Sequence, residues 1–184
     1  MRAILFHNPN SGAKGYEKED ILAALKLADI ESVYVSTKSD DFEKAFDKHA
    51  HLFIAAGGDG TIRKVVAGAR DSGVPVAILP LGTANNVARS LGIAGTPQEL
   101  VETWDVEHSV KIDIGTARGA WGTELFLESF GVGLMPAYLR MAAKAKKPEG
   151  AANLQQGREL LQKALKKAKP IEIEIEIEGK KLKG

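Results

Sequence analysis

Leu52-Phe53-Ile54-Ala55-Ala56-Gly57-Gly58-Asp59-Gly60-Thr61-Ile62-Arg63-Lys64-Val65-Val66, residues 52–66, decides the fold. Its first five residues are an unbroken apolar run, the pattern of a strand buried on both faces. The run ends in Gly57-Gly58-Asp59-Gly60-Thr61, and Ile62, Val65, Val66 and Ala69 then follow at helical spacing. Strand, glycine loop and helix in direct succession form the start of a βα unit. Glycines without a Cβ let the backbone turn sharply and let its N–H groups converge on an anion. The helix beginning near Thr61 adds free amides and a positive dipole end. Asp59 projects a carboxylate into this phosphate cradle, suited either to Mg²⁺ or to a hydrogen bond that shapes the loop. The simpler alternative is a tight turn with Thr61 as helix cap. The stretch has neither the GK[ST] of a Walker A loop nor the GxGxxG spacing.

The same pattern extends in both directions. Arg2–His7 reads as a strand ending in the turn cluster Asn8-Pro9-Asn10-Ser11-Gly12. Ile21, Leu22, Leu25 and Ala28 place a helix over 17–28, and Ser32–Ser36 is a second strand. Phe42, Ala45 and Phe46 mark a helix over 40–48. Val76–Leu79 is a fourth strand, ended by Pro80-Leu81-Gly82-Thr83-Ala84-Asn85-Asn86, and a short helix follows over 87–91. Strands alternating with helices predict an α/β domain: an open, mostly parallel sheet with helices on both faces. The three polar loops then lie at the carboxyl ends of parallel strands, where such sheets bind ligands. Thr83 and Asn85 offer a hydroxyl and an amide to phosphate or ribose. His7, closing the first strand, reads as a structural hydrogen-bonder.

After about residue 108 the pattern changes. Val110–Thr116 and Glu124–Gly131 read as an antiparallel hairpin around Gly119-Ala120-Trp121-Gly122. Helices are expected over 134–146 and 153–168, separated by Lys147-Pro148-Glu149-Gly150, the second with Leu154, Leu161, Leu165 and Ala168 on one stripe. Ile171, Ile173, Ile175 and Ile177 alternate with four glutamates, a strand with one dry and one wet face. Residues 1–108 are therefore read as an α/β domain and 109–184 as part of a β-rich sandwich.

Composition narrows the function. The 184 residues include no cysteine, which excludes disulfides and thiolate metal sites. His49, His51 and His108 match no metal spacing. The first 137 residues hold 13 Lys and Arg against 18 Asp and Glu, and the last 47 hold 12 against 6. A basic C-terminal third on an acidic body suggests a surface facing an anionic partner. No run reaches the roughly 20 apolar residues of a membrane span, so contact with a membrane is expected to be peripheral and the protein cytoplasmic.

The three loops together, NPNSG (8–12), AAGGDGTIRKVV (55–66) and PLGTANNVARSLGI (80–93), resemble the diacylglycerol kinase catalytic-domain family, which includes bacterial lipid kinases and sphingosine and ceramide kinases. KIDIG (111–115) and ESFGVG (128–133) continue the resemblance more loosely. The resemblance implies an ATP-dependent lipid kinase that uses Mg²⁺ and phosphorylates a hydroxyl such as that of diacylglycerol. It implies phosphate contacts at Gly57, Gly58, Asp59, Gly60 and Thr61, and further nucleotide contacts at Asn8, Ser11, Thr83 and Asn85. Asp59 and Asp113 become the catalytic carboxylates, with Asp59 also the metal ligand. Two departures stand out. Asn86 occupies a position where most bacterial members have Asp. Members also continue past this length, through a sandwich that carries an acidic general base. NAD kinases share GGDGT, but their second loop differs from PLGTANN, and a nucleotide-binding regulator without catalysis is the non-enzyme alternative. The expected partners are a lipid substrate, an anionic membrane surface reached through the basic stretch 140–169, and further copies of the chain as a homo-oligomer, with no nucleic acid.

Overall fold

The computed structural model describes residues 1–11, 15–145 and 151–183. Its contacts divide into two compact units, Met1–Ser129 and Phe130–Gly184.

Four parallel strands organise the first unit: β1 (Arg2–His7), β2 (Glu31–Ser36), β3 (Leu52–Gly57) and β4 (Val76–Pro80), in the order β2-β1-β3-β4. The connection from β1 leads to one side, to β2, while β3 and then β4 add on the other. The carboxyl ends of β1 and β3 therefore flank the point where the winding reverses, the ligand-binding crevice of open α/β sheets.

Alternation along the strands sends side chains into two cores. Ala3, Leu5, Leu52, Ile54 and Leu79 pack against Ile21, Ala24 and Leu25 of α1 (Lys18–Leu27) and Leu100 and Val101 of α4 (Pro97–Glu102). Ile4, Phe6, Phe53 and Ala55 pack on the other face, against Ile62, Val65 and Val66 of α2 (Asp59–Ala69) and Val87 and Ala88 of α3 (Asn86–Ser90). Helices thus cover both faces of the sheet, as the sequence pattern predicts.

Helix ends follow local chemistry. Glu17 and Asp20 form a reciprocal capping box at the start of α1. Thr96 and Glu99 form another at α4, with Pro97 in the first turn. The sequence reading passed over α4, although Thr96-Pro97-Gln98-Glu99 is a legible start signal.

The segment expected as a helix over 40–48 is instead a 3-10 turn over Glu43–Asp47. Three nearby anchors decide its path: Phe42 and Ala45 are buried, and Phe46 stacks on Phe6 with ring centroids 4.5 Å apart. Such a short segment gains little from helix propagation, and the tighter winding sets residues three apart over one another, here Phe42 and Ala45.

The hairpin is also shorter than its pattern. β5 (Gly115–Gly119) pairs with β6 (Gly122–Phe126), so the strand expected over 110–116 begins only at Gly115, and the one expected over 124–131 ends at Phe126. Its turn is the two residues Ala120 and Trp121, which fixes the register close to the tip. Phe126 lies across Gly115 and Trp121 across Gly119, each ring occupying the space a Cβ would need.

The second unit pairs α5 (Leu134–Lys144) with α6 (Ala151–Lys167) and ends in a hairpin of β7 (Glu174–Ile177) and β8 (Lys180–Lys183). On α6 the stripe expected through Leu165 is rotated: Ala164 is buried while Leu165 is half exposed. Leu154 and the break at 147–150 lie outside the described side chains and residues respectively. The strand expected over 171–178 is shortened to Glu174–Ile177. Ile171, Ile175 and Ile177 are exposed and Ile173 is partly buried, so most of the expected dry face is uncovered among the described residues.

Candidate functional site

The three loops stand side by side because their strands are neighbours. The Asn8 amide donates to the Ala56 carbonyl at 3.1 Å, and the Leu81 amide to the Gly57 carbonyl at 3.0 Å. These two bonds extend the ladder β1-β3-β4 into the loops.

The first loop is held by its own residues. The Ser11 amide and hydroxyl both donate to the Asn8 carbonyl, at 3.0 and 2.6 Å, and Asn8 Oδ1 accepts from the Asn10 amide. Gly12 lies outside the described residues. Below this loop His7 is buried, with Tyr34 Oη 3.4 Å from its Nδ1. Burial holds the His7 imidazole below its ordinary titration range, and the carboxylates of Glu17 and Glu19 offset part of that. Lys18 lies over the Tyr34 ring, 4.4 Å from its centroid.

In the second loop the glycines have separate reasons. A Cβ on Gly57 would fall 2.5 Å from Thr61 Oγ1, so its absence makes room for the buried Thr61 side chain. A Cβ on Gly82 would fall 2.4 Å from the Gly58 Cα, so the second and third loops meet backbone on backbone. Gly60 is exposed, with nothing within 4 Å of where its Cβ would be. Gly58 caps α2 in extended conformation, and the first amides of that helix have no carbonyl one turn earlier to receive them. They form the anion-binding end of the loop.

The third loop is organised by Asn85, which is buried and left-handed at φ 50°. Its Oδ1 accepts from the Gly82 amide at 2.9 Å, while its Nδ2 donates to the carbonyls of Pro80 and Gly82 at 3.1 and 2.8 Å. Asn tolerates this backbone region better than most residues, and its amide ties the loop into a ring. Asp59 reaches across from α2: its Oδ1 accepts from the Val87 amide at 3.0 Å.

The structure thus brings together Asn8, Ser11, Gly57, Gly58, Asp59, Gly60, Thr61, Thr83 and Asn85 at one sheet edge. Thr83 and Gly60 are exposed there, whereas Asn85 and Thr61 are buried within the loops. Asp113 is exposed on the irregular stretch before β5, and among the described residues no hydrogen bond or ion pair joins it to the loops. The sequence reading missed the contribution of β2. There the Thr37 amide donates to the His7 carbonyl at 2.9 Å, bringing a fourth polar loop, Ser36–Ser39, to the same edge. Its signal was the polar run Ser36-Thr37-Lys38-Ser39-Asp40 after a strand. No group of three or more His, Asp or Glu that could hold a metal occurs among the described residues.

Comparison with known proteins agrees with the fold. The family model of the diacylglycerol kinase catalytic domain matches residues 2–117. Diacylglycerol kinases of Staphylococcus aureus strains MRSA252 and JH9 are each 36% identical over 126 residues, covering 62% of this chain and 39% of each relative. The matched stretch therefore spans well under half the length of those relatives. A solved protein from Bacillus anthracis str. Sterne, provisionally named a diacylglycerol kinase, superposes with a TM-score of 0.63. That match covers 99% of this chain and 61% of the other at 22% identity, a likeness of fold. With four parallel strands, glycine loops at their carboxyl edge and a family match over most of its length, the chain belongs to the diacylglycerol kinase catalytic domain family.

Proposed function

We propose that this chain is the nucleotide-binding part of an ATP-dependent lipid kinase, which transfers the γ-phosphoryl group of ATP to a lipid hydroxyl such as that of diacylglycerol. The observation that carries the reading is the joining of the glycine loop after β3 to the loop after β4, in a family member, at the start of α2, where the first helical amides have no acceptor inside the helix. Phosphoryl transfer needs positioning and charge stabilisation more than covalent chemistry, and an array of fixed amides provides both.

The proposed roles combine the family resemblance with the position of each loop, and that of Asp113 rests on the resemblance alone. The amides around Gly58, Asp59 and Gly60 hold phosphate oxygens. Asn8, Ser11 and Thr83 border the same edge and serve the rest of the nucleotide, while Asn85 and Thr61 hold the loops in shape from beneath. Asp59 and Asp113 are the carboxylates assigned to the acceptor side. Mg²⁺ commonly binds through one or two carboxylates together with substrate phosphates, and Asp59, at the junction of the loops, fits that composition. When bound, the ion would neutralise charge on the transferred group.

The lipid side is assigned to residues 109–184. In the second unit a groove of about 490 Å³ is lined by Leu134, Met141 and Ile171 together with Arg140, Lys144 and Lys167. A lining that mixes apolar and cationic side chains suits a peripheral contact with an anionic membrane surface. No helix among the described residues is long and apolar enough to cross a membrane.

One assay tests the reading: radiolabelled ATP offered with a panel of lipids, NAD and sugar phosphates. Label appearing in a lipid is expected, and label in NAD alone would refute the lipid assignment. Binding is tested separately by thermal shift, where nucleotide at about 100 times its Kd stabilises the fold by roughly 2.7 kcal/mol. Co-sedimentation with anionic and neutral vesicles at two salt concentrations tests the membrane contact. Equal partitioning to both would refute it.

A further inference from the structure

We propose that Asp59 is a positioning residue, whose Oδ1 clamps the glycine loop after β3 to the loop after β4. The inference deepens the nucleotide-binding reading, but its grounds are contacts within the chain. Val87 supplies the second amide of α3, a position with no acceptor inside the helix. The residue that would ordinarily cap it, Asn85, has turned its side chain back onto Gly82 and Pro80 and makes no cap. The amide is served instead from 28 residues away, by Asp59 at 3.0 Å.

The clamp closes a contact already too tight for side chains. Gly82 cannot accept a Cβ without displacing the Gly58 backbone, a Cβ on Gly58 would meet the Gly82 Cα at a tight 3.2 Å, and the Leu81 amide is bonded to the Gly57 carbonyl. Asp59 is the first residue of α2, so a bond from its side chain fixes the start of that helix relative to α3. The first amides of α2 are thereby held in place before any ligand arrives. This role belongs to an acceptor oxygen and not to a charge, so Asn can fill it and Ala cannot. It operates whether or not a metal is bound.

Hydrogen exchange at the Val87 amide, measured on the whole chain without ligand, reads the clamp directly. Loss of a single well-placed bond to a charged acceptor exposes its donor by about tenfold or more. Asp59→Ala is expected to show that loss, and Asp59→Asn to retain most of the protection. Val87 equally protected in D59A and wild type, or equally exposed in D59N and D59A, would overturn the proposal. The second readout is ADP affinity in EDTA, where metal ligation plays no part. There D59A is expected to bind about tenfold more weakly than D59N. Equal affinities would count against the clamp. A wild-type chain that binds no nucleotide would instead refute the nucleotide reading, with the exchange result still deciding the clamp. A D59A chain too unstable to assay beside a folded D59N chain supports the clamp, since the two differ in the acceptor.

Discussion

β3 and β7 both carry apolar side chains but meet opposite fates: β3 is apolar throughout, and β7 alternates isoleucine with glutamate. All six residues of β3 are buried, whereas all four of β7 are exposed. Phe53 is 0% exposed, while Ile175 and Ile177 are 42% and 55% exposed. The difference lies in what each strand faces. β3 has β1 on one edge, β4 on the other, and helices over both faces. Among the described residues β7 pairs only with β8, and the isoleucine side of their hairpin is mixed, with Ile177 opposite Lys180. Glu174 and Glu176 pair across from Lys183 and Lys181, and Ile175 pairs across from Leu182. Its salt bridges from Glu174 to Lys181 and Lys183 are exposed and contribute little. An apolar pattern is thus a demand for a partner, and packing is what turns it into stability.

The sharpest test of that contrast is truncation in both strands. Phe53→Ala removes a fully buried ring from the four-phenylalanine cluster and is expected to cost about 3–5 kcal/mol by denaturant unfolding. A cost under about 1 kcal/mol would mean that β3 is not at the centre of the cooperative core.

The next largest effect concerns glycines of the same loops. Gly82→Ala drives a Cβ into the Gly58 backbone and is expected to destabilise by about 1–3 kcal/mol. Gly60→Ala enters open space in the first turn of α2. It is expected to leave stability level or raise it by roughly 0.5–1 kcal/mol while weakening nucleotide binding. Equal melting temperatures for the two variants would contradict the loop contact.

A smaller effect distinguishes the site's foundation from its surface. The buried His7 titrates below its ordinary value of 6.5, so above that pH neither the folded nor the unfolded imidazole is charged and it costs no stability. As pH falls through 6.5 the unfolded chain takes up the proton first, and stability is lost progressively down to the folded value. Urea unfolding across pH 5–8 should show this slope, and His7→Gln should flatten it. An unchanged slope in the variant would assign the dependence to other groups.

The smallest effect is expected in β7. Ile175→Ala should change stability by no more than about 0.5 kcal/mol, as at other exposed positions. A loss approaching that of Phe53→Ala would show that the isoleucine face is covered in solution, for instance by a second copy of the chain.

By itself the sequence determined the parallel sheet, the order of its strands along the chain and the three loops at one edge. Continuous apolar runs, glycines at strand ends and helical spacing are local signals, and local sterics read them without help from the rest of the fold. β1, β3 and α2 accordingly lie close to where their residues place them. What only the tertiary structure decided depended on distant partners. The segment 40–48 tightened into a 3-10 turn because Phe6 and Phe53 set where its phenylalanines must go. The hairpin shortened because its two-residue tip and the rings over Gly115 and Gly119 fixed its register. Asn85, whose polar atoms the pattern offered to a ligand, is buried with all of them bonded to its own loop. The bond from Asp59 to Val87 joins residues 28 apart. No periodicity carries such a pairing, because it exists only once β3 and β4 lie side by side and bring their loops within the reach of one carboxylate.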